Sequence, residues 1–123
     1  MEALSVGMYV RYKPLLSSKY VKINKIKEIE EKENCLHIWL EDKDLITEKY
    51  LIKASYNIID ILEEGDFVST ITGECALITG VYHDINGKKY IRLCNCIGDY
   101  YEDDIKSIIT HEQMEQMAYK VGD

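Results

Sequence analysis

Carboxylates set among tyrosines are the densest chemistry in this sequence. Asp99, Tyr100, Tyr101, Glu102, Asp103 and Asp104 are contiguous, and Glu41, Asp42 and Asp44 hold a corresponding place earlier in the chain. Acids spaced along a loop with aromatic rings between them resemble phosphates and stacked bases, so they can occupy a groove built for nucleic acid. The bland alternative is solvation, since charged turns also keep a protein soluble. A second cluster has the opposite sign. Tyr9, Arg11, Tyr12 and Lys13 mix cations with rings, as a nucleotide site would, with Lys19 a little further on. Residues 1–27 carry six basic side chains against one acid, and the remainder nine against 21, within a net charge of −7. A polarised surface of this kind steers partners. The overall sign argues against direct nucleic-acid binding, whose affinity comes mainly from neutralised phosphates.

Metal and nucleophile chemistry finds little support. Cys94 and Cys96 would place two sulfurs on one face of a strand, with Cys75 or His83 on its neighbour, yet the usual two-residue knuckle spacing is absent. His111-Glu112 forms half of a zinc-protease helix motif whose second histidine is replaced by Glu115. No phosphate-binding glycine loop, dinucleotide fingerprint or nucleophile elbow occurs. Neither a metal, a cofactor nor a catalytic residue is expected, and the protein is read as a non-enzyme.

The elements that must position these residues recur. Gly7-Met8-Tyr9-Val10 and Gly65-Asp66-Phe67-Val68 open two stretches of the same plan, so 1–64 and 65–123 are expected to be related units. In the first, strands are expected at Val6–Tyr12, Tyr20–Ile29, Cys35–Leu40 and Tyr50–Ala54. A short helix capped by Ser55 should follow, with Ile58, Ile59, Ile61 and Leu62 at helical spacing. In the second, Phe67–Ile71, Ala76–Tyr82, Lys88–Cys96 and Ile105–Ile109 read as strands. Asn86-Gly87 turns the hairpin, because both residues tolerate positive φ. Thr110 and Gln113 form a capping box ahead of Met114, Met117 and Ala118. Ile91 and Leu93 match Ile38 and Leu40 as inward-facing positions.

The fold expected is mainly β with short helices: two small SH3-like antiparallel units packed together, a β-sandwich or another α+β arrangement remaining open. A unit of about 60 residues buries only roughly 60% of its unfolded surface. The halves would therefore share a core, directly or through a homodimer. No apolar run approaches the roughly 20 residues of a membrane span, and the start lacks a signal peptide's layout. Four cysteines in such a chain are expected to be reduced thiols.

Two stretches carry a family resemblance. Asn57-Ile58-Ile59-Asp60-Ile61-Leu62-Glu63-Glu64-Gly65-Asp66-Phe67-Val68 is one. The other is Asp104-Ile105-Lys106-Ser107-Ile108-Ile109-Thr110-His111-Glu112-Gln113 with Tyr119-Lys120-Val121-Gly122. Residues 55–123 thereby resemble small accessory proteins of phages and prophages of low-GC Gram-positive bacteria. The resemblance brings no catalytic motif, and the lysine-rich start departs from it. It implies action in the host cytoplasm as an anti-defence protein, most concretely an anti-CRISPR inhibitor. The partner would be a host effector, met through Glu41, Asp42, Asp44 and residues 99–104. A sponge for a nucleotide immune signal and a phage structural or adaptor protein are the other expectations.

Overall fold

A computed structural model describes residues 3–14, 21–117, 121 and 122. The protein is mainly β, with two antiparallel sheets and one short α-helix. The chain divides into two compact units, Met1–Ile61 and Leu62–Asp123. No helix among the described residues is long and apolar enough to cross a membrane.

The first unit holds β1 (Tyr9–Tyr12), β2 (Lys22–Lys32), β3 (Cys35–Leu40), β4 (Leu45–Thr47) and β5 (Leu51–Ser55), in the order β4-β3-β2-β1-β5. The second holds β6 (Phe67–Thr70), β7 (Cys75–His83), β8 (Lys89–Leu93) and β9 (Ile105–Ile109), in the order β8-β7-β6-β9, followed by α1 (His111–Met117). In both, the first strand lies between the second and the last.

Backbone bonds set that arrangement in the same way in each unit. Gly7 and Gly65 take φ of +92° and +89°, a conformation that costs a residue with a Cβ but not glycine. Gly7 N donates to Ile26 O and Gly65 N to Ile78 O, both at 2.9 Å; Ile26 N and Ile78 N donate back to Met8 O and Asp66 O at 2.8 Å. Each second strand then carries a bulge. Lys27 is the extra residue between the pairs Ile26–Leu40 and Glu28–Trp39, and Thr79 between Ile78–Leu93 and Gly80–Arg92. A bulge bends its strand and increases its twist.

The first unit's core is Met8, Val10, Tyr12, Ile26, Ile38, Leu40 and Ile46. In the second, Val68, Ile78, Ile91, Leu93 and Tyr100 are buried. Ile38, Leu40, Ile91 and Leu93 thus point inward as their alternation requires, while Trp39 stays 37% exposed.

Several boundaries differ from the sequence expectation for local reasons. Val6 precedes β1 and is exposed, because Gly7 turns the chain before pairing begins. Tyr20, Lys19 and Ala118 lie outside the described residues. The expected helix after Ser55 is a single 3-10 turn, Ile58–Ile61. Asn57 Oδ1 accepts Ile59 N and Ser55 Oγ accepts Asn57 N, two local bonds that favour a tight turn over an extending helix. The two-residue turn with both φ positive lies at Glu33-Asn34, not at Asn86-Gly87. Residues 84–88 instead close a three-residue loop in which Gly87 alone has positive φ.

That second type of turn occurs three times among the described residues. Leu40–Asp44, Thr70–Glu74 and Asp84–Lys88 each pair the first residue's N–H with the fifth's carbonyl and the fourth's N–H with the first's carbonyl. The fourth residue has positive φ in all three: Gly73, Gly87 and Lys43. A residue other than glycine there costs about 1 kcal/mol.

Asp66 is fully buried where the second unit begins, and its two oxygens accept Glu63 N and His111 N at 2.9 Å. It ties the segment entering β6 to the start of α1. Asp66→Asn presents an NH₂ to one of those N–H donors. The expected loss is about 2 kcal/mol, the cost of a buried donor left unsatisfied, read as a lower urea midpoint.

Candidate functional site

The acidic loops are partly structural. In the β3–β4 turn, Asp42 Oδ1 accepts Asp44 N at 3.0 Å, and Glu41 and Asp42 are exposed. Asp44 is half-buried at the edge of the core: its carboxylate accepts the Tyr12 hydroxyl at 3.0 Å and lies 3.8 Å from Lys22 Nζ. Burial first, then the bond to Asp44 and the nearby Asp42 and Asp44 charges, push the Tyr12 phenol far above its ordinary pKa, outweighing its bond to Asn24. Tyr12 therefore stays protonated and donates.

In the second unit, Tyr100 is only 8% exposed, and its backbone exchanges two bonds with Ile91 at 2.8 and 2.9 Å. It pins the loop, so its ring is no contact surface. Asp104 accepts Tyr101 N at 2.9 Å and closes the 3-10 turn Glu102–Asp104. Asp99 and Asp103 are exposed, and Tyr101 and Glu102 half-buried.

The basic cluster is split between core and surface. Arg11 and Tyr12 are fully buried, with Arg11 Nη1 donating to Ile61 O at 3.2 Å. A guanidinium at the end of a short helical turn satisfies a carbonyl that the turn leaves open. Tyr9 carries Lys25 Nζ at 5.4 Å from its ring centre, and Lys13 N donates to Tyr50 O. Arg11 and Tyr12 thus hold the first unit together rather than face a ligand. Cys94 and Cys96 do not share a strand face either, because β8 ends at Leu93 and Asn95 turns the chain with φ of +60°. Cys35, Cys75 and Cys94 are exposed thiols rather than core residues.

Sequence reasoning missed a ladder of rings on the outer face of the β7–β8 hairpin. Ile91 and Leu93 face the core, so Tyr90 and Arg92 face out, opposite Tyr82 and Gly80. Tyr82 and Tyr90 stack with centres 5.6 Å apart, and Tyr101 continues the row 5.6 Å from Tyr90. Arg92 lies 5.2 and 5.8 Å from the Tyr82 and Tyr90 ring centres, and Lys88 Nζ 5.0 Å from that of Tyr101. Gly80 makes the row possible: a Cβ there would strike the Tyr82 ring. Carboxylates edge the ladder. Asp99 bonds Arg92 Nε at 3.0 Å and holds the guanidinium above its ordinary pKa. Asp84 accepts the Tyr101 hydroxyl at 3.2 Å, besides the N–H groups of Asn86 and Lys88. Counting outward from the 84–88 turn to the pair Tyr82–Tyr90 was the available signal.

Among the described residues, one cluster has ligand chemistry. Glu63, His111 and Glu112 bring their ligand atoms within 4.8 Å of one another, with His111 Nε2 at 3.0 Å from Glu63 Oε1 and 3.1 Å from Glu112 Oε1. His111 Nε2 lies between the two carboxylates, beside the Thr110–Gln113 capping box, whose reciprocal bonds measure 3.1 and 3.0 Å. No protein-family model matches the chain, and no curated protein or solved structure does either.

Gly80→Ala should push Tyr82 off its neighbour and abolish the ring-current shifts of Tyr82 and Tyr90 in the NMR spectrum. The Asp84 carboxyl lies below its ordinary pKa, chiefly through the Lys88 N–H, with smaller help from Asn86, Tyr101 and the Lys88 charge against some burial. A depressed carboxyl contributes stability above its unfolded pKa and loses it as pH falls through the folded value. Protection of the Asn86 and Lys88 amides against exchange, relative to their intrinsic rates, should therefore fall below about pH 4, and Asp84→Asn should remove that dependence.

Proposed function

We propose that this chain works by binding, as a non-enzymatic anti-defence protein of phage origin acting in the host cytoplasm, built from two SH3-like modules related by duplication. The matched glycine turns, bulges and strand order support duplication, and a short bulged antiparallel sheet in each unit fits a partly open SH3-like barrel. In its most concrete form the partner is a CRISPR effector whose cationic nucleic-acid groove is occupied.

The carrying observation is the Tyr82–Tyr90–Tyr101 ladder edged by Asp84 and Asp99, with Asp103 exposed beyond the same loop. Tyrosine and arginine are enriched at the hot spots of protein interfaces, and the tyrosine ring presents a large rigid surface at small entropic cost. In such a groove the rings would take the place of stacked bases and the carboxylates that of phosphates. An acid excess steers the chain to a basic groove and speeds encounter. The second unit carries this excess, with 12 acids against five basic residues.

Purified chain should slow target binding by a sensitive effector. Tyr101→Ala should weaken the complex about tenfold, the loss of an interface anchor. Asp103→Lys should mainly slow association, and more at low salt, because an exposed charge is screened within about 10 Å at 0.1 M ionic strength. Full target binding and cutting by every CRISPR effector tested, at saturating chain, would overturn the reading.

A further inference from the structure

The first unit carries a recess of about 250 Å³ lined by Lys27, Glu28, Trp39, Leu40 and Lys43. Trp39 is the single tryptophan of the chain and stands out of the sheet on the outer face of β3. Leu40, nearly fully buried, also borders the recess. Lys27 and Lys43 are exposed, and neither has an ion-pair partner among the described residues.

Two features of the backbone bring these lysines to the ring. Lys27 is the extra residue of the β2 bulge, and bulges re-aim side chains. Lys43 holds the positive-φ place of the 40–44 turn, which its two sister turns fill with Gly73 and Gly87. Position 43 as a structural position alone would favour glycine. The bulge also has a counterpart at Thr79, so it belongs to the fold; the combination of Lys27, Trp39 and Lys43 does not recur there.

We propose that this recess binds a small ligand consisting of a flat aromatic ring system with a phosphate, the chemistry of a mononucleotide. The ring stacks on Trp39, as bases stack on aromatic side chains. Lys27 and Lys43 meet the phosphate through charge-assisted bonds. Glu28 accepts from a ring amine or a sugar hydroxyl. The volume falls below the roughly 300 Å³ at which most ligand pockets begin, so it takes one ring system and leaves the phosphate at the rim. A free mononucleotide is favoured over a strand end, because a chain of net −7 repels a long polyanion. The site is independent of the tyrosine ladder, and the two readings fail separately.

Quenching of the single tryptophan tests this. Titration with AMP and UMP should quench Trp39 and saturate below about 1 mM, a weak-site affinity. Ribose 5-phosphate and adenosine, each lacking half of the ligand, should do so at least tenfold more weakly. Lys27→Ala should weaken AMP about tenfold, the loss of one charge-assisted contact. Lys43→Gly should do the same while the urea midpoint holds or rises, which separates lost binding from lost folding. Calorimetry with Trp39→Leu should show no AMP heat. Absence of saturable quenching at any mononucleotide, equal quenching by adenosine, or tighter binding of a 5′-phosphorylated oligonucleotide than of AMP would each overturn the proposal.

Discussion

Strand register is the constraint on which every side-chain placement here depends. In each unit the chain enters its central strand through a glycine at positive φ, and a pair of backbone bonds fixes the second strand against it. Because side chains alternate with a period of two, a slip of one residue would exchange core and surface. Ile38 and Leu40, or Ile91 and Leu93, would then meet water, while Trp39 or Arg92 would be driven inward. The bulge at the very next residue, Lys27 or Thr79, performs one such exchange on the second strand alone. It leaves the third strand's pattern intact and bends its own strand.

Charge is used inside these small units as a fastener. Arg11 and Asp66 are both fully buried, and both bond backbone groups: the Ile61 carbonyl at the end of a 3-10 turn in one case, and in the other the Glu63 N–H ahead of β6 and the His111 N–H at the start of α1. Such bonds hold the segment after the last strand against the sheet, where a unit of about 60 residues has little apolar surface to do so. Tyr12 and Asp44 repeat the device between a core ring and a surface turn. The consequence for function is that charged residues in this chain cannot be assigned to a surface by type.

This explains what the sequence made legible. Strand alternation identified Leu36 to Leu40 and Ile91 to Leu93 correctly, since a half-sided strand writes its geometry into every second residue. The Thr110–Gln113 box was equally readable, because its chemistry is local. Arg11 and Tyr12 were not, because a ring and a guanidinium look alike whether they face water or satisfy a carbonyl 50 residues away. The three-residue turn at 84–88 escaped because Asn-Gly supports two loop lengths, and only cross-strand pairing selects between them. Tyr101 joins the ladder through the Tyr100–Ile91 bridge, a tertiary contact with no local pattern.

The two hairpins present the same outer face with different contents, and one residue on each bulged strand accounts for much of the difference. Opposite Arg92 stands Gly80, whose missing Cβ lets Tyr82 lie against the backbone, so the rings and the guanidinium close on one another into a stacked surface. Opposite Trp39 stands Glu28, which has a side chain of its own and no ring to lay across the strand. The indole keeps a face open beside Lys27 and Lys43, and a recess results. A closed ladder offers area and rigidity, which suit a macromolecular partner. An open ring flanked by cations offers a slot, which suits a small planar anion. The same backbone thereby supports two kinds of contact, and the choice between them lies in whether a neighbouring side chain covers the central aromatic or cationic group.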